Sequence, residues 1–276
     1  MLNCDLHCHS TASDGLLPAA DVVRRAAANG VDRLALTDHD DLDGLAAASA
    51  AAEEVGIAFT TGVEISIEWE GLQIHVLGLA FDPGNVALNA GLAGIRSGRV
   101  DRAQRMSREL EIVGIRDSFA GAMRFAENPS LISRAHFARF LVERGVCKDV
   151  RSVFESYLVP GRPGYVDHRW ATLADSVGWI TGAGGIAVVA HPGRYKLSPR
   201  DMRRFLAEFK EVGGRAIEVM SGSHSQENVG TFGRLANEYG FLASRGSDFH
   251  GPGESYVDLG KLPPLPDGLK PVWEAF

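Results

Sequence analysis

The sequence predicts an α/β fold: a barrel of about seven strands with interleaved helices, interrupted by a helical insertion. Three observations predict it. Short apolar runs alternate with helical patterns through both ends of the chain. Each His- and carboxylate-rich motif falls at or just after one of those apolar runs. Between about residues 86 and 160 the strand signals fade and Arg-rich helical periodicity replaces them. Alternating β and α elements imply a parallel sheet. Closing that sheet into a barrel brings the strand ends to one rim, where barrels carry their functional residues.

The elements follow in order. Leu2–His7 reads as a strand. Pro18–Asn29 reads as a helix, with Pro18 suited to its first turn and Asn29-Gly30 to its end. Arg33–Thr37 is the second strand, and the Ala-rich Leu42–Val55 is a helix stopped by Gly56. Ile57–Ile65 and Leu72–Phe81 are strands, and Glu70-Gly71 between them marks a hairpin turn, so this pair is expected to be antiparallel. The insertion runs from Val86 to Val159 and ends at the turn-forming Pro160-Gly161-Arg162-Pro163-Gly164. Alternation then resumes: helix Leu173–Ala183, strand Gly185–Ala190, helix Pro199–Val212, strand Ala216–Met220, helix Gln226–Tyr239 and strand Phe241–Ser244. The whole chain, 1–276, therefore reads as one barrel domain with an insertion.

Composition narrows the functional classes. A chain of 276 residues with 45% apolar content buries a large core without a metal staple. No apolar run reaches the ~18 residues of a membrane span. The first residues lack a basic start, and the three cysteines lack CxxC spacing, so a reducing, cytoplasmic location is expected. Cys8 lies between two candidate ligands, but strand neighbours point to opposite faces, so it is expected to be a buried apolar residue. A net charge of −7 argues against a nucleic-acid coat. The charge is uneven, however. Residues 96–162 hold 13 Lys and Arg against 8 Asp and Glu, an excess of +5, leaving −12 on the remainder. An acidic body suits cation binding, and a basic segment beside it suits an anion.

The candidate metal ligands are His7, His9, Asp14, His39, Glu64, His75, His191, Asp248 and His250. His7-x-His9 on a strand puts two imidazoles on one face. Nine donors exceed what one ion of about four to six coordination can use. Two divalent ions are the minimum, and three are accommodated if Glu64 bridges. Adjacent divalent ions are a recurring device for phosphoryl hydrolysis. Mixed His and carboxylate donors suit Mn, Fe or Zn, and Mn is preferred here. A lone histidine is usually structural, but six of the nine histidines lie in these strand-end motifs. Asp14, in Ser13-Asp14-Gly15, also suits a plain turn. Asp38 and Asp40 flank His39 and are expected to support or cap rather than to ligate.

The order of these motifs, His-x-His, Thr-Asp-His-Asp, Gly-x-Glu, His, Ala-His-Pro and Gly-Ser-Asp-x-His, resembles the PHP (polymerase and histidinol phosphatase) family. The resemblance covers most of the chain. It implies a distorted seven-stranded β/α barrel, a multinuclear metal centre at its rim, and all nine residues as ligands. Leu131–Arg139, Tyr157-Leu158, Gly161–Val166, His191–Tyr195 and Glu218–His224 look like a subfamily acting on nucleotides or RNA ends. That subfamily contains nucleoside 3′,5′-bisphosphate phosphatases and 5′-to-3′ exoribonucleases of the RNase AM type. Ala135 departs from it, standing where relatives often have proline.

The leading functional reading is a metal-dependent phosphatase acting on the 3′-phosphate of a nucleoside 3′,5′-bisphosphate. A 5′-to-3′ exonuclease on short RNA or DNA is the alternative. The nucleotide-like segments argue against histidinol phosphate, the clustered arginines against an amidohydrolase, and the intact ligand set against a non-catalytic module. Arg134 and Arg194 are the expected phosphate clamps, because a guanidinium grips phosphate bidentately. His224 is the expected general acid or phosphate ligand. His136 and His168 are expected to be structural. The stripe Arg96, Arg99, Arg102, Arg105, Arg108 is expected to be a solvated helix face, with nucleic-acid tracking as the sharper alternative. No membrane contact and no stable protein partner is expected.

Overall fold

The computed structural model describes residues 2–276. The strands are β1 (Cys4–Asp5), β2 (Arg33–Leu36), β3 (Ala58–Trp69), β4 (Leu72–Leu79), β5 (Ala171–Thr172), β6 (Ile186–Val189), β7 (Ala216–Ser221) and β8 (Leu242–Gly246). The helices are α1 (Ala19–Ala28), α2 (Leu45–Val55), α3 (Val86–Arg96), α4 (Arg99–Ile112), α5 (Ser118–Met123), α6 (Arg134–Glu143), α7 (Val150–Val153), α8 (Leu173–Gly182), α9 (Pro199–Glu211) and α10 (Gln226–Tyr239).

The sheet runs β1-β2-β3-β4-β6-β7-β8, with β5 attached to β3. Parallel pairing holds except around β4, which is antiparallel to both β3 and β6. The reversal has a local cause. Glu70 and Gly71 both have positive φ, 50° and 77°, which makes a two-residue hairpin between Trp69 and Leu72. The sheet then closes on itself. Leu6 N–H donates to Arg245 O at 3.0 Å, and beyond the formal strands Asp248 N–H donates to His7 O and His9 N–H to Phe249 O, each at 2.8 Å. The result is the expected distorted seven-stranded barrel. The short eighth strand, β5, was not anticipated: two residues carry no periodic signal.

Helices cover the barrel through one buried stripe each. In α9, Met202, Phe205, Leu206 and Phe209 face inward at helical spacing, and Ser198 caps the start by accepting from Asp201 N–H. In α2 the stripe is mostly alanine, which lets α1 and α2 pack closely. Alternate strand residues divide between this outer core and the barrel interior. In β4, Leu79 and Leu77 plug the interior, and His75, two residues further along the same face, opens towards the rim. In β7, Ala216 fills the interior and Glu218 follows it. The metal-binding face is thus the polar continuation of the apolar plug.

The helical segment splits in two. Leu88, Leu92 and Ile95 of α3 join the main barrel core, and α3 packs on α8. From Ala103 onward, α4–α7 gather a separate apolar cluster that includes Met106, Leu110, Phe137, Leu141 and Val153. Among the described residues, no helix is long and apolar enough to cross a membrane.

Candidate metal centre and active site

The nine candidate ligands converge at the rim. Glu64, fully buried on β3, stands at the middle. Its Oε1 lies 2.8 Å from His75 Nδ1 and 2.9 Å from His191 Nε2; its Oε2 lies 3.2 Å from His7 Nε2, His9 Nε2 and His39 Nδ1. Asp248 Oδ1 lies 3.3 Å from His7 Nε2 and 3.2 Å from His9 Nε2. Asp14 Oδ1 faces His250 Nε2 at 3.5 Å and His39 Nε2 at 3.9 Å. Three overlapping groups are compact enough to hold an ion each: His9-Asp14-His39-His250, His7-His9-Glu64-Asp248, and His39-Glu64-His75.

The chemistry of the donors fits divalent metal. Asp14 Oδ1, Glu64 Oε2 and Asp248 Oδ1 are buried and have no hydrogen-bond partner among the described residues. A buried carboxylate oxygen without a partner is costly, and an ion coordinated there removes the cost. Burial alone would raise these acids. Instead the facing imidazoles of His39, His75 and His7 hold Glu64 well below the usual carboxylate range, and Arg194 and His7 do the same for Asp248. Burial pushes His39 down to about 3 and His191 to about 4, favouring the neutral imidazole that ligates. His9 goes the other way, up to about 10: burial is outweighed by Asp248 and Glu64, the negative charge a cation would otherwise neutralise.

Backbone strain is concentrated here. Of six non-glycine residues with positive φ among the described residues, Asp40, His191 and Asp248 belong to the centre. Gly246 is required by close approach, because a Cβ there would lie 2.2 Å from His7 Cβ. Asp38 and Asp40 support rather than ligate, as expected. Asp38 accepts from Ser10 N–H (2.7 Å) and from the Ser10 and Ser13 hydroxyls (2.6 Å each), fastening the loop that carries Asp14. Asp40 accepts from Ser66 N–H at 2.7 Å and pairs with Arg99. Cys8 is buried in the apolar core, its thiol donating to Ala35 O at 3.3 Å.

Sequence reasoning missed Glu218. Fully buried on β7, it lies 3.0 Å from His7 Nδ1 and accepts from His191 N–H at 2.5 Å. The available signal was an acid amid Ala-Ile-Glu-Val-Met, a run otherwise fit for a core strand.

A cavity of about 280 Å³ opens over the ligands. Arg134 and Arg194 line it. The Arg134 guanidinium donates to Gln73 Oε1 (2.9 Å) and Leu158 O (3.3 Å) and stacks over Phe154, and among the described residues no carboxylate forms an ion pair with it. Arg194 lies 2.5 Å from Asp248 Oδ2 and donates to Ser223 Oγ at 3.1 Å.

Two residue groups sit differently from what their spacing suggests. His224 does not line the cavity. Its Nδ1 donates to Val219 O at 3.0 Å, its Nε2 accepts from Gly193 N–H at 3.1 Å, and its ring stacks on Phe232. With both nitrogens engaged by backbone, it ties the 191–194 segment to the end of β7. The arginine stripe is not a uniformly solvated face either. Three residues turn a helix 60° short of a full revolution, so the stripe drifts. Arg99 and Arg102, both 4% exposed, line the cavity and each lies over the Trp170 ring, whereas Arg105 and Arg108 are exposed. Burial and the neighbouring guanidiniums of Arg134 and Arg99 push Arg102 down. His136 and His168 are structural, as expected: His136 Nδ1 accepts from Ser133 N–H, and His168 bonds Ile95 O.

The PHP domain family model matches residues 5–221. The chain belongs to the PHP domain family. Among curated PHP relatives, a 3′,5′-nucleoside bisphosphate phosphatase of Chromobacterium violaceum is 52% identical over 273 residues, spanning 99% of this chain and 96% of its own. A 5′-3′ exoribonuclease of Haemophilus influenzae is 41% identical, spanning 99% and 98%. A solved Chromobacterium violaceum amidohydrolase with bound sulfate superimposes on this PHP domain with a TM-score of 0.97 and 51% identity, covering 99% of this chain and 95% of that one.

Proposed function

We propose that this protein is a metal-dependent phosphoesterase that removes the 3′-phosphate of a nucleoside 3′,5′-bisphosphate, giving the 5′-monophosphate and inorganic phosphate. One observation carries the reading: a single cavity is lined both by the candidate metal ligands around Glu64 and Asp248 and by the cluster Arg99, Arg102 and Arg134. A substrate bearing two phosphates on one sugar can engage both sets of groups at once.

In this reading His7, His9, Asp14, His39, Glu64, His75, His191, Asp248 and His250 would hold two or three divalent ions, Glu64 belonging to two of the three groups. Mn is the ion we favour, and Fe or Zn suits the same donors. Bound there, the ions supply Lewis acidity, acidifying water and neutralising phosphoryl oxygens. Arg194 steadies the nonbridging oxygens of the reacting phosphate. Arg134, held by Gln73 and Phe154, joins Arg99 and Arg102 on the 5′-phosphate. The chain is read as one barrel domain with a helical excursion over 86–160. The free cysteines Cys4, Cys8 and Cys147 support the expected cytoplasmic location.

The name of the Chromobacterium phosphatase supports this substrate. A second reading is a 5′-to-3′ exonuclease on short RNA, in which the same arginines take the 5′-phosphate of the terminal nucleotide. It is favoured by Tyr256, a 70% exposed aromatic at the cavity wall on which a base can stack, and by the exoribonuclease relatives.

The deciding experiment uses Mn-loaded protein. Phosphate release from adenosine 3′,5′-bisphosphate is measured beside mononucleotide release from a short 5′-phosphorylated RNA. Rapid phosphate release with little RNA shortening supports the phosphatase. RNA shortening with poor phosphate release moves the assignment to the exonuclease, and neither activity removes the nucleotide assignment.

A further inference from the structure

The helix α6 reaches across the cavity and touches both ends of one ligand group. At its N-terminus, Ser133 caps the helix by accepting from Ala135 N–H, and its hydroxyl donates to Asp14 Oδ2 at 3.1 Å. Further along the helix stands Arg139, whose side chain is only 5% exposed. Its Nη2 donates to Asp14 O at 2.6 Å. Its Nε and Nη2 also grip Glu254 bidentately, both at 2.8 Å. Glu254 follows closely after His250, in a turn fastened by Ser255: the Ser255 hydroxyl accepts from His250 N–H at 2.7 Å and from Gly251 N–H at 3.3 Å. Arg139 thus ties the loop of Asp14 to the loop of His250. These two ligands come from opposite ends of the chain, and among the described residues their side chains touch each other at 3.5 Å.

We propose that Arg139 is a positioning residue for the Asp14-His39-His250 ligand group, so that the ion of this group is retained only while α6 is docked. Three features support this. The fork is the rigid, planar kind that fixes geometry as well as charge. Arg139 is anchored from behind, because Phe137, Ala138, Phe140 and Leu141 of the same helix build the second apolar cluster. The other two ligand groups lean on Glu218 and the β3–β4 hairpin; α6 reaches them only indirectly among the described residues, through Arg134 and Gln73, which lies 3.3 Å from His75 Nε2. Arg134, on the first turn of α6, lines the cavity. Docking of this one helix therefore couples substrate-site assembly to completion of the metal centre. The inference rests on the metal centre and not on the identity of the substrate.

The test counts Mn per chain by elemental analysis of full-length protein after gel filtration, for wild type, Arg139→Ala, Glu254→Gln, Asp14→Asn and the Arg139→Ala/Asp14→Asn double variant. Melting curves are recorded alongside. Arg139→Ala and Glu254→Gln are expected to lose the same ion that Asp14→Asn loses, through an affinity drop of about 10- to 100-fold for that ion. The double variant is expected to hold as much Mn as Asp14→Asn alone. That equality separates positioning of this group from general destabilisation, which would drain the remaining ions too. A wild-type Mn count in Arg139→Ala overturns the proposal, as does a double variant below Asp14→Asn, or a wild-type count in Asp14→Asn. Should Arg139→Ala fail to fold, Glu254→Gln decides alone: it removes the charge of the partner while leaving the arginine in place, and a full Mn count overturns the proposal. Failure of the nucleotide assays would leave these counts unaffected.

Discussion

Glu218 Oε1 lies 3.0 Å from His7 Nδ1, beneath the metal-binding face. The contact fixes His7 with Nδ1 protonated and Nε2 turned towards Glu64 and Asp248. The other Glu218 oxygen takes the His191 amide, so one buried acid orients two candidate ligands on different strands. Replacing Glu218 with Gln removes the charge that makes His7 a stronger donor. The expected outcome is a loss of metal affinity of about 10- to 100-fold, read by competition with a chromogenic chelator, with little change in far-UV circular dichroism. Unchanged affinity would show that His7 is oriented without its help.

Arg102 and Arg134 test the second anion site. Arg134 has no carboxylate within ion-pair distance among the described residues, and Arg102, which donates to Val166 O at 2.9 Å, is crowded by the guanidiniums of Arg134, Arg99 and Arg105. An anion bound between them relieves both conditions. Arg134→Met should raise KM for adenosine 3′,5′-bisphosphate far more than it lowers kcat, since the contact is made equally in ground and transition states. On 3′-AMP, which lacks the 5′-phosphate, the same variant should match wild type. Equal losses on both substrates would place Arg134 with the reacting phosphate instead.

Much of this was legible in the sequence because it is periodic or local. The strand-end motifs placed all nine candidate ligands at one rim, and Glu70-Gly71 announced the antiparallel β4. What stayed hidden depends on long-range contact. Glu218 reads as an oddity in an apolar strand until His7, 211 residues away, is packed against it. Arg99 and Arg102 share their spacing with Arg105 and Arg108, and only the neighbouring Trp170 and Asp40 separate the buried pair from the solvated one. His224 drew attention because it sits three residues past the end of β7, close to where the candidate ligands sit elsewhere in the chain.

His224 supplies a sharper check. Since its Nε2 accepts from Gly193 N–H behind the cavity wall, a side chain that keeps an acceptor there should preserve most activity. His224→Gln is expected to lower kcat by less than about tenfold, whereas loss of a general acid costs about 10²- to 10⁴-fold. The pH dependence of kcat should keep the same limbs. Loss of one limb would restore His224 as a proton donor.

Metal removal should cost stability as well as activity. The fold gathers Asp14, Glu64, Asp248 and Glu218 in the barrel mouth, all 6% exposed or less. Imidazoles oppose them incompletely, as the upward push on His9 by Asp248 and Glu64 records. Ions that bind the folded chain and not the unfolded one add RT ln(1 + [M]/Kd), about 2.7 kcal/mol at a metal concentration 100 times Kd. Stripping with chelator should therefore lower the melting temperature, and Mn should restore it in a concentration-dependent way. The increment should shrink in Glu64→Gln, because Glu64 belongs to two of the three ligand groups. A melting temperature indifferent to Mn in the wild type would mean that the barrel mouth tolerates its own charge, and the case for ions as part of the folded structure would fail.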